Sequence, residues 1–227
     1  VIRALLFDAA GTLIEPAEPV ADVYARHFVE AGWRVPPPTV RGAFGAVFSQ
    51  AAAPEYGEHA DGDAAERAWW REVVLATMRT CGIDPLADMQ GADRCFERLF
   101  RHYAVPGAWR VFPEVAEVLE AAGRAGLVTG VVSNFDRRLH GILDGLGLSF
   151  GFVLTSADAR SRKPEPTIFR EALARLGMAA SEVWHAGDSP EADVAGARGL
   201  GIESYLVDRP ARDLRGFLAA ALVGKRK

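Results

Sequence analysis

Asp8, Ser133, Asn134, Lys163, Asp188 and Asp193 are the residues of this chain whose types and positions invite chemistry. Asp8 closes the apolar run Ala4-Leu5-Leu6-Phe7, and Ser133-Asn134 close the run 127–132. Gly187-Asp188 follow the run 183–186, and Lys163-Pro164 stand in the loop after the run 152–154. This inventory suits phosphoryl chemistry. A carboxylate attacking a phosphate meets like-charge repulsion, so such a site needs a divalent cation and a positive or hydrogen-bonding clamp for the equatorial oxygens. Magnesium takes hard oxygen ligands, one or two of them carboxylates. Taken singly, each group has a structural explanation. Asp8 could cap a turn, Ser133-Asn134 could be turn formers, and Lys163 could be a solvated surface lysine. Asp188-Ser189-Pro190-Glu191 could simply start a helix. Their weight comes from falling in order, all at strand ends.

The elements that must position them are legible from periodicity. Runs 4–7, 127–132, 152–154, 183–186 and 204–207 are short, apolar and closed by polar residues, as buried parallel strands are. Between them the spacing predicts helices: one opening near Pro113 through 114–119, one over 165–176 stopped by Gly177, and one over 191–200. In the last, Gly196, Ala197 and Gly199 leave room for close helix–sheet approach. This alternation predicts an α/β fold with a doubly wound, Rossmann-like parallel sheet, whose ligands bind at the carboxyl ends of the strands. Residues 15–107 lack strand-like runs and read instead as amphipathic helices at about 20–31, 39–51, 63–81 and 86–103. The expected organisation is therefore an α/β core of residues 1–14 and 108–227, with an inserted α-helical cap over 15–107.

Bulk properties exclude several classes. The 227 residues carry 49% hydrophobic and 25% charged side chains and a formal net charge of −4, which gives no footprint for nucleic acid. The ending Lys225-Arg226-Lys227 reads as a solvated tail. Cys81 and Cys95 make no disulfide framework, and the first residues reach Asp8 too soon for a leader. The run 218–223 is too short to span a bilayer, so a cytoplasmic protein without membrane partners is expected. His185 is expected to be a core histidine, and Trp69 and Trp70, adjacent on a helix, to face different ways. Arg160 and Arg162, near Lys163, could add positive potential at the site mouth, as could Arg137 and Arg138, but all four are expected to be solvated loop arginines. Oligomeric state is not legible.

Phe7-Asp8-Ala9-Ala10-Gly11-Thr12-Leu13 resembles motif I of the haloacid dehalogenase-like hydrolase superfamily, and Val132-Ser133-Asn134 its motif II. Lys163-Pro164-Glu165-Pro166 resembles motif III, and Gly187-Asp188-Ser189 with Asp193 resembles motif IV. The helical insertion between motifs I and II lies where that superfamily's class C1 cap lies. The stretch Ala68-Trp69-Trp70-Arg71-Glu72-Val73-Val74 is similar to the DREG-2-like branch. The resemblance implies that Asp8 is the nucleophile and forms an aspartyl-phosphate. It implies that Mg2+ is bound by Asp8, Asp188 and the backbone carbonyl of Ala10, with Asp193 as outer support. Ser133 and the Asn134 N–H would hold a phosphate oxygen. Lys163 would neutralise charge between nucleophile and phosphate, and Thr12 would help position the nucleophile's loop at the phosphate-binding site.

One departure matters. The superfamily's phosphatases carry a general acid/base aspartate where this chain has Ala10, and such a group is worth on the order of 10²–10⁴ in rate. Phosphonoacetaldehyde hydrolases share the alanine but need a cap lysine, and the lysines here are Lys163, Lys225 and Lys227. The L-2-haloacid dehalogenases carry tyrosine there and use no metal, so Ala10 and Asp188 both disagree with them. The expectation is a magnesium-dependent hydrolase of a small phosphorylated metabolite, with turnover weakened by Ala10. The alternative is a catalytically degenerate phospholigand-binding or regulatory protein. Glu55, His59 and Asp61 of the insertion are candidates for a substitute acid.

Overall fold

The computed structural model describes residues 1–57 and 61–225. His59, Arg226 and Lys227 lie outside the described residues. The elements run β1 (Ala4–Phe7), β2 (Ile14–Pro16), α1 (Val20–Glu30), α2 (Pro37–Gln50), α3 (Gly62–Thr80) and α4 (Met89–His102). They continue with β3 (Trp109–Val111), α5 (Val115–Arg124), β4 (Val128–Ser133), α6 (Arg138–Gly145), β5 (Phe152–Thr155) and α7 (Ser156–Ala159). The chain ends with α8 (Pro166–Leu176), β6 (Val183–Gly187), α9 (Gly196–Arg198), β7 (Glu203–Leu206) and α10 (Leu214–Lys225). It divides into two compact units, Val1–Glu15 with Arg110–Lys227, and Pro16–Trp109.

The first unit is an α/β fold around a five-stranded sheet in the order β5-β4-β1-β6-β7. Strand β1 is central, and its pairings to β4 and β6 are both parallel. Its four side chains are wholly buried because both sheet faces are covered. Leu6 and Ala4 join Ile168, Phe169 and Ala197 on one face. On the other, Phe7 meets Phe217 of α10 edge to face at 5.5 Å. Burying each such leucine or phenylalanine stabilises the fold by roughly 1.5–3 kcal/mol. Registry then levels the strand ends. Phe7 stands opposite Val131 and Ala186, so the chain leaves β1, β4 and β6 at nearly the same height. The sheet grows in opposite directions from β1, which makes that end its switch point.

The predicted strands lie within a residue of the observed ones, whereas the three-residue β2 and β3, which pair with each other, have no sequence signature. The helix expected over 191–200 takes a different form. Residues Pro190–Ala195 make a wide π-helical turn, with Val194 N donating to Ser189 O at 3.2 Å, before the short α9. Ser189 caps this turn through the Ala192 N–H at 3.0 Å, and the same wide turn carries Asp193 inward. Gly196 is required here, since a Cβ would press on Phe169 and Pro164.

The second unit is helical, with a core that includes Val23, Tyr24, Phe28, Val74, Met78, Phe96 and Leu99. Trp70 packs against this core, whereas Trp69 donates from Nε1 to Ala52 O at 2.5 Å. Asp61 caps α3 through the Asp63 N–H, and Glu55 is exposed. No helix among the described residues is long and apolar enough to cross a membrane.

Candidate active site

Asp8 follows β1 directly, and its N–H donates to Ala186 O at 2.8 Å, which extends the β1–β6 ladder by one residue and fixes the side chain at the switch point. The backbone then reverses. Leu13 and Ile14 donate to Ala9 O at 2.8 and 3.0 Å, and Gly11 donates to Ile14 O at 2.8 Å. Gly11 sits at φ +89°, where side chains are strained, and a Cβ there would collide with the Asp188 carboxylate. Asp188 leaves the end of β6. Asp8, Asp188 and Asp193 each offer a carboxylate oxygen within 4.8 Å of the others.

Around these carboxylates the sequence-predicted residues converge. Ser133 Oγ, at the end of β4, donates to Asp8 Oδ1 at 2.9 Å. Lys163 Nζ donates to the same oxygen at 2.7 Å and to Asp193 Oδ1 at 2.6 Å. Asn134 holds the Lys163 backbone in a reciprocal pair, donating from Nδ2 to Lys163 O at 2.9 Å and accepting from Lys163 N at 2.8 Å. The lysine is therefore placed by both its ends. Asp193 is fully committed: His185 Nε2 donates to Oδ1 at 2.9 Å, and Ser189 N donates to Oδ2 at 3.0 Å. Gly187 lets it approach, since a Cβ there would strike the Asp193 carboxylate.

Electrostatics separate the three carboxylates. Burial pushes the Asp8 carboxyl above the usual range, against the pull of Lys163. Burial also opposes ionisation of Asp193, but Lys163 and His185 outweigh it and hold its pKa well below normal. For Lys163, burial disfavours the ammonium, and Asp193 and Asp8 more than offset it, so its pKa is raised. Lys163 thus bridges the two carboxylates, at 2.7 Å from Asp8 Oδ1 and 2.6 Å from Asp193 Oδ1. Asp188 is pushed up to about 6 by burial and by repulsion from Asp8 and Asp193. Three carboxylates surround one ammonium. The donor set fits a divalent cation: both Asp193 oxygens already accept hydrogen bonds, from Lys163, His185 and Ser189, which leaves Asp8 and Asp188 as the principal carboxylate donors.

Not every expected residue meets this cluster by its side chain. Thr12 is wholly buried in the reversal, its hydroxyl without a hydrogen-bond partner and its N–H donating to Ala9 O at 3.2 Å. Ala10 offers only a methyl. His185 is a core histidine packed edge to face on Phe169, and it also braces Asp193. Arg138 is not a solvated loop residue; it pairs with the buried Asp136 at 2.7 Å, because Asp136 lies at the start of α6 and needs a counter-ion there. Sequence reasoning missed Arg209, whose guanidinium donates to Gly11 O at 2.8 Å and Thr12 O at 2.7 Å. It lies three residues past β7, outside every recognised motif, and only the path of the chain brings it to the loop.

The chain belongs to the haloacid dehalogenase-like hydrolases, whose family model matches residues 2–201. It is 38% identical over 212 residues to the Danio rerio protein named haloacid dehalogenase-like hydrolase domain-containing protein 3, covering 92% of this chain and 86% of that one. Among solved structures, it superposes on a HAD phosphatase from Thermococcus onnurineus with a TM-score of 0.64 at 22% identity, over 97% of this chain and 98% of that one. It also superposes on a 2-haloacid dehalogenase from Pseudomonas syringae with a TM-score of 0.59 at 26% identity, over 91% and 86%. Phosphatase and dehalogenase share this fold, so the choice between them falls to the site.

Proposed function

We propose that this chain is a magnesium-dependent phosphatase of a small phosphorylated metabolite, with Asp8 as nucleophile and residues 16–109 as its C1-type cap; the finer placement in the DREG-2-like branch rests on the stretch 68–74. The observation that carries the reading is the charge surplus: three clustered carboxylates face one buried ammonium. A metal-free dehalogenase would leave that surplus unmatched. Asp8, Asp188 and the Ala10 carbonyl would hold Mg2+, which when bound screens the repulsion between the Asp8 carboxylate and the phosphate. Asp193 supports from outside by fixing Lys163.

The chain's own residues then divide the work. Ser133 and Lys163 fix Asp8 Oδ1, so the carboxylate cannot rotate and Oδ2 is presented for attack. Oδ2 bonds to phosphorus, the bond to the leaving oxygen breaks, and that oxygen departs with the electron pair. Water then attacks phosphorus and frees Asp8. Lys163, Ser133 and the Asn134 N–H are the donors proposed for the phosphoryl oxygens, and Thr12 stiffens the loop from within its buried position. Ala10 cannot protonate the departing oxygen. Acyl and aryl phosphates, whose leaving groups need no proton, should therefore turn over faster than alkyl phosphates by on the order of 10²-fold or more. A magnesium-dependent screen of both classes checks this. Asp8→Asn should abolish activity, and Ala10→Asp should raise turnover of alkyl phosphates. Equal rates on both classes in the parent would contradict the reading. Ala10 also favours a second reading, a phospholigand-binding protein, which retained ligand affinity without any turnover would establish.

A further inference from the structure

We propose that Arg209, backed by Glu114, is a positioning residue for the nucleophile's loop and fixes the spacing of Asp8 and Asp188 on which cation binding depends; this rests on the phosphatase reading above. The reversal after β1 satisfies its own N–H groups, with those of Gly11, Leu13 and Ile14 all bonded within the loop. The carbonyl oxygens of Gly11 and Thr12 turn instead to Arg209, nearly two hundred residues further along the chain. Every part of the guanidinium is used. Nη1 and Nη2 take the two carbonyls, Nε and Nη2 donate to Glu114 Oε1 at 2.9 and 2.6 Å, and the plane lies 3.7 Å from the Phe112 ring centroid.

A planar fork with donors on two edges can do this, and a lysine's point charge cannot. Glu114 is 3% exposed and Arg209 partly buried, so the pair is a strut, anchored at its buried carboxylate, between the segment after β7 and the loop of Asp8. The strut reaches the cation site through Gly11. Lacking a Cβ, Gly11 lies against the Asp188 carboxylate, and a rotation of the peptide that Arg209 holds would change that clearance. Losing the clamp should therefore loosen the site without removing any of its ligands.

The test uses the full chain with Arg209→Met, Arg209→Lys and Glu114→Gln. Mn2+ affinity is read by electron paramagnetic resonance, and amide exchange is followed over residues 9–14. Arg209→Met should weaken Mn2+ binding by about 10–100-fold, as loss of a group supporting metal ligands does. It should also speed exchange over 9–14. Arg209→Lys should recover part of both, and Glu114→Gln should fall between parent and Arg209→Met. A change in kcat with KM little altered should accompany the loss. Unchanged Mn2+ affinity and unchanged exchange in Arg209→Met, whatever its melting temperature, would overturn the inference. If Arg209→Met fails to fold, the same comparison on Arg209→Lys and Glu114→Gln decides. A parent that binds no Mn2+ sinks the phosphatase reading, while the exchange rates still judge the clamp.

Discussion

Asp188 has no basic partner in hydrogen-bond contact, and its pKa is raised to about 6 by desolvation first and then by repulsion from Asp8 and Asp193. The folded protein holds this proton more tightly than the unfolded chain, whose reference value is 3.8. The sign is therefore that Asp188 takes stability away as pH rises from about 4 through about 6. A cation bound to the ionised carboxylate would return it. Mg2+ should accordingly raise the melting temperature more at about pH 7.5 than at about pH 5, because at the lower pH a proton competes for the ligand. Thermal scans with and without Mg2+ check this; an increment independent of pH would remove Asp188 from the cation site. At this scale the sequence was informative about identity and silent about commitment. Lys163 and Asp193 could be picked out, but nothing in their spacing says that one ammonium bridges Asp193 and Asp8. That bridge comes from tertiary packing, as does the contact of His185, which reaches Asp193 across the strand-to-turn reversal.

Elements were legible where hydrophobic periodicity is strong. The five strands of the main sheet and most of the longer helices follow from apolar runs, but α6 and α10 were not singled out. Where a side chain rather than a period sets the geometry, the sequence misleads. Residues 190–195 carry a helical pattern, yet the turn widens because Asp193 must reach both Lys163 and the Ser189 N–H. Short β2 and β3 are set by pairing with each other, which no local pattern records. Glycines give a contrast at this scale. Gly187→Ala drives a methyl into the Asp193 carboxylate and should destabilise the fold by about 1–3 kcal/mol while disturbing the site. Gly42, exposed in α2 with nothing within 4 Å of an added Cβ, should gain about 0.5–1 kcal/mol as alanine. Urea melts of the two variants separate the cases; equal effects would show that Gly187 is no close-approach position.

For the molecule as a whole, chain order carried more than any single motif. Four segments, spread from Asp8 to Asp193, meet because β1 is central and its neighbours end level with it. The sequence shows that order, and the parallel sheet converts it into proximity. What it could not show is the clamp from Arg209, since that contact depends on where the chain passes after β7, beyond the last recognisable motif. Asp8 is proposed to accept a phosphoryl group when a divalent cation is present. Intact-mass analysis and peptide mapping after mixing the protein with an acyl phosphate read this step. With Mg2+, the parent should gain one phosphoryl group on the peptide bearing Asp8, and the adduct should outlast that of Ala10→Asp. Chelator or Asp8→Asn should abolish it. An adduct on another residue, or magnesium-dependent turnover that survives in Asp8→Asn, would rule out Asp8 as the nucleophile.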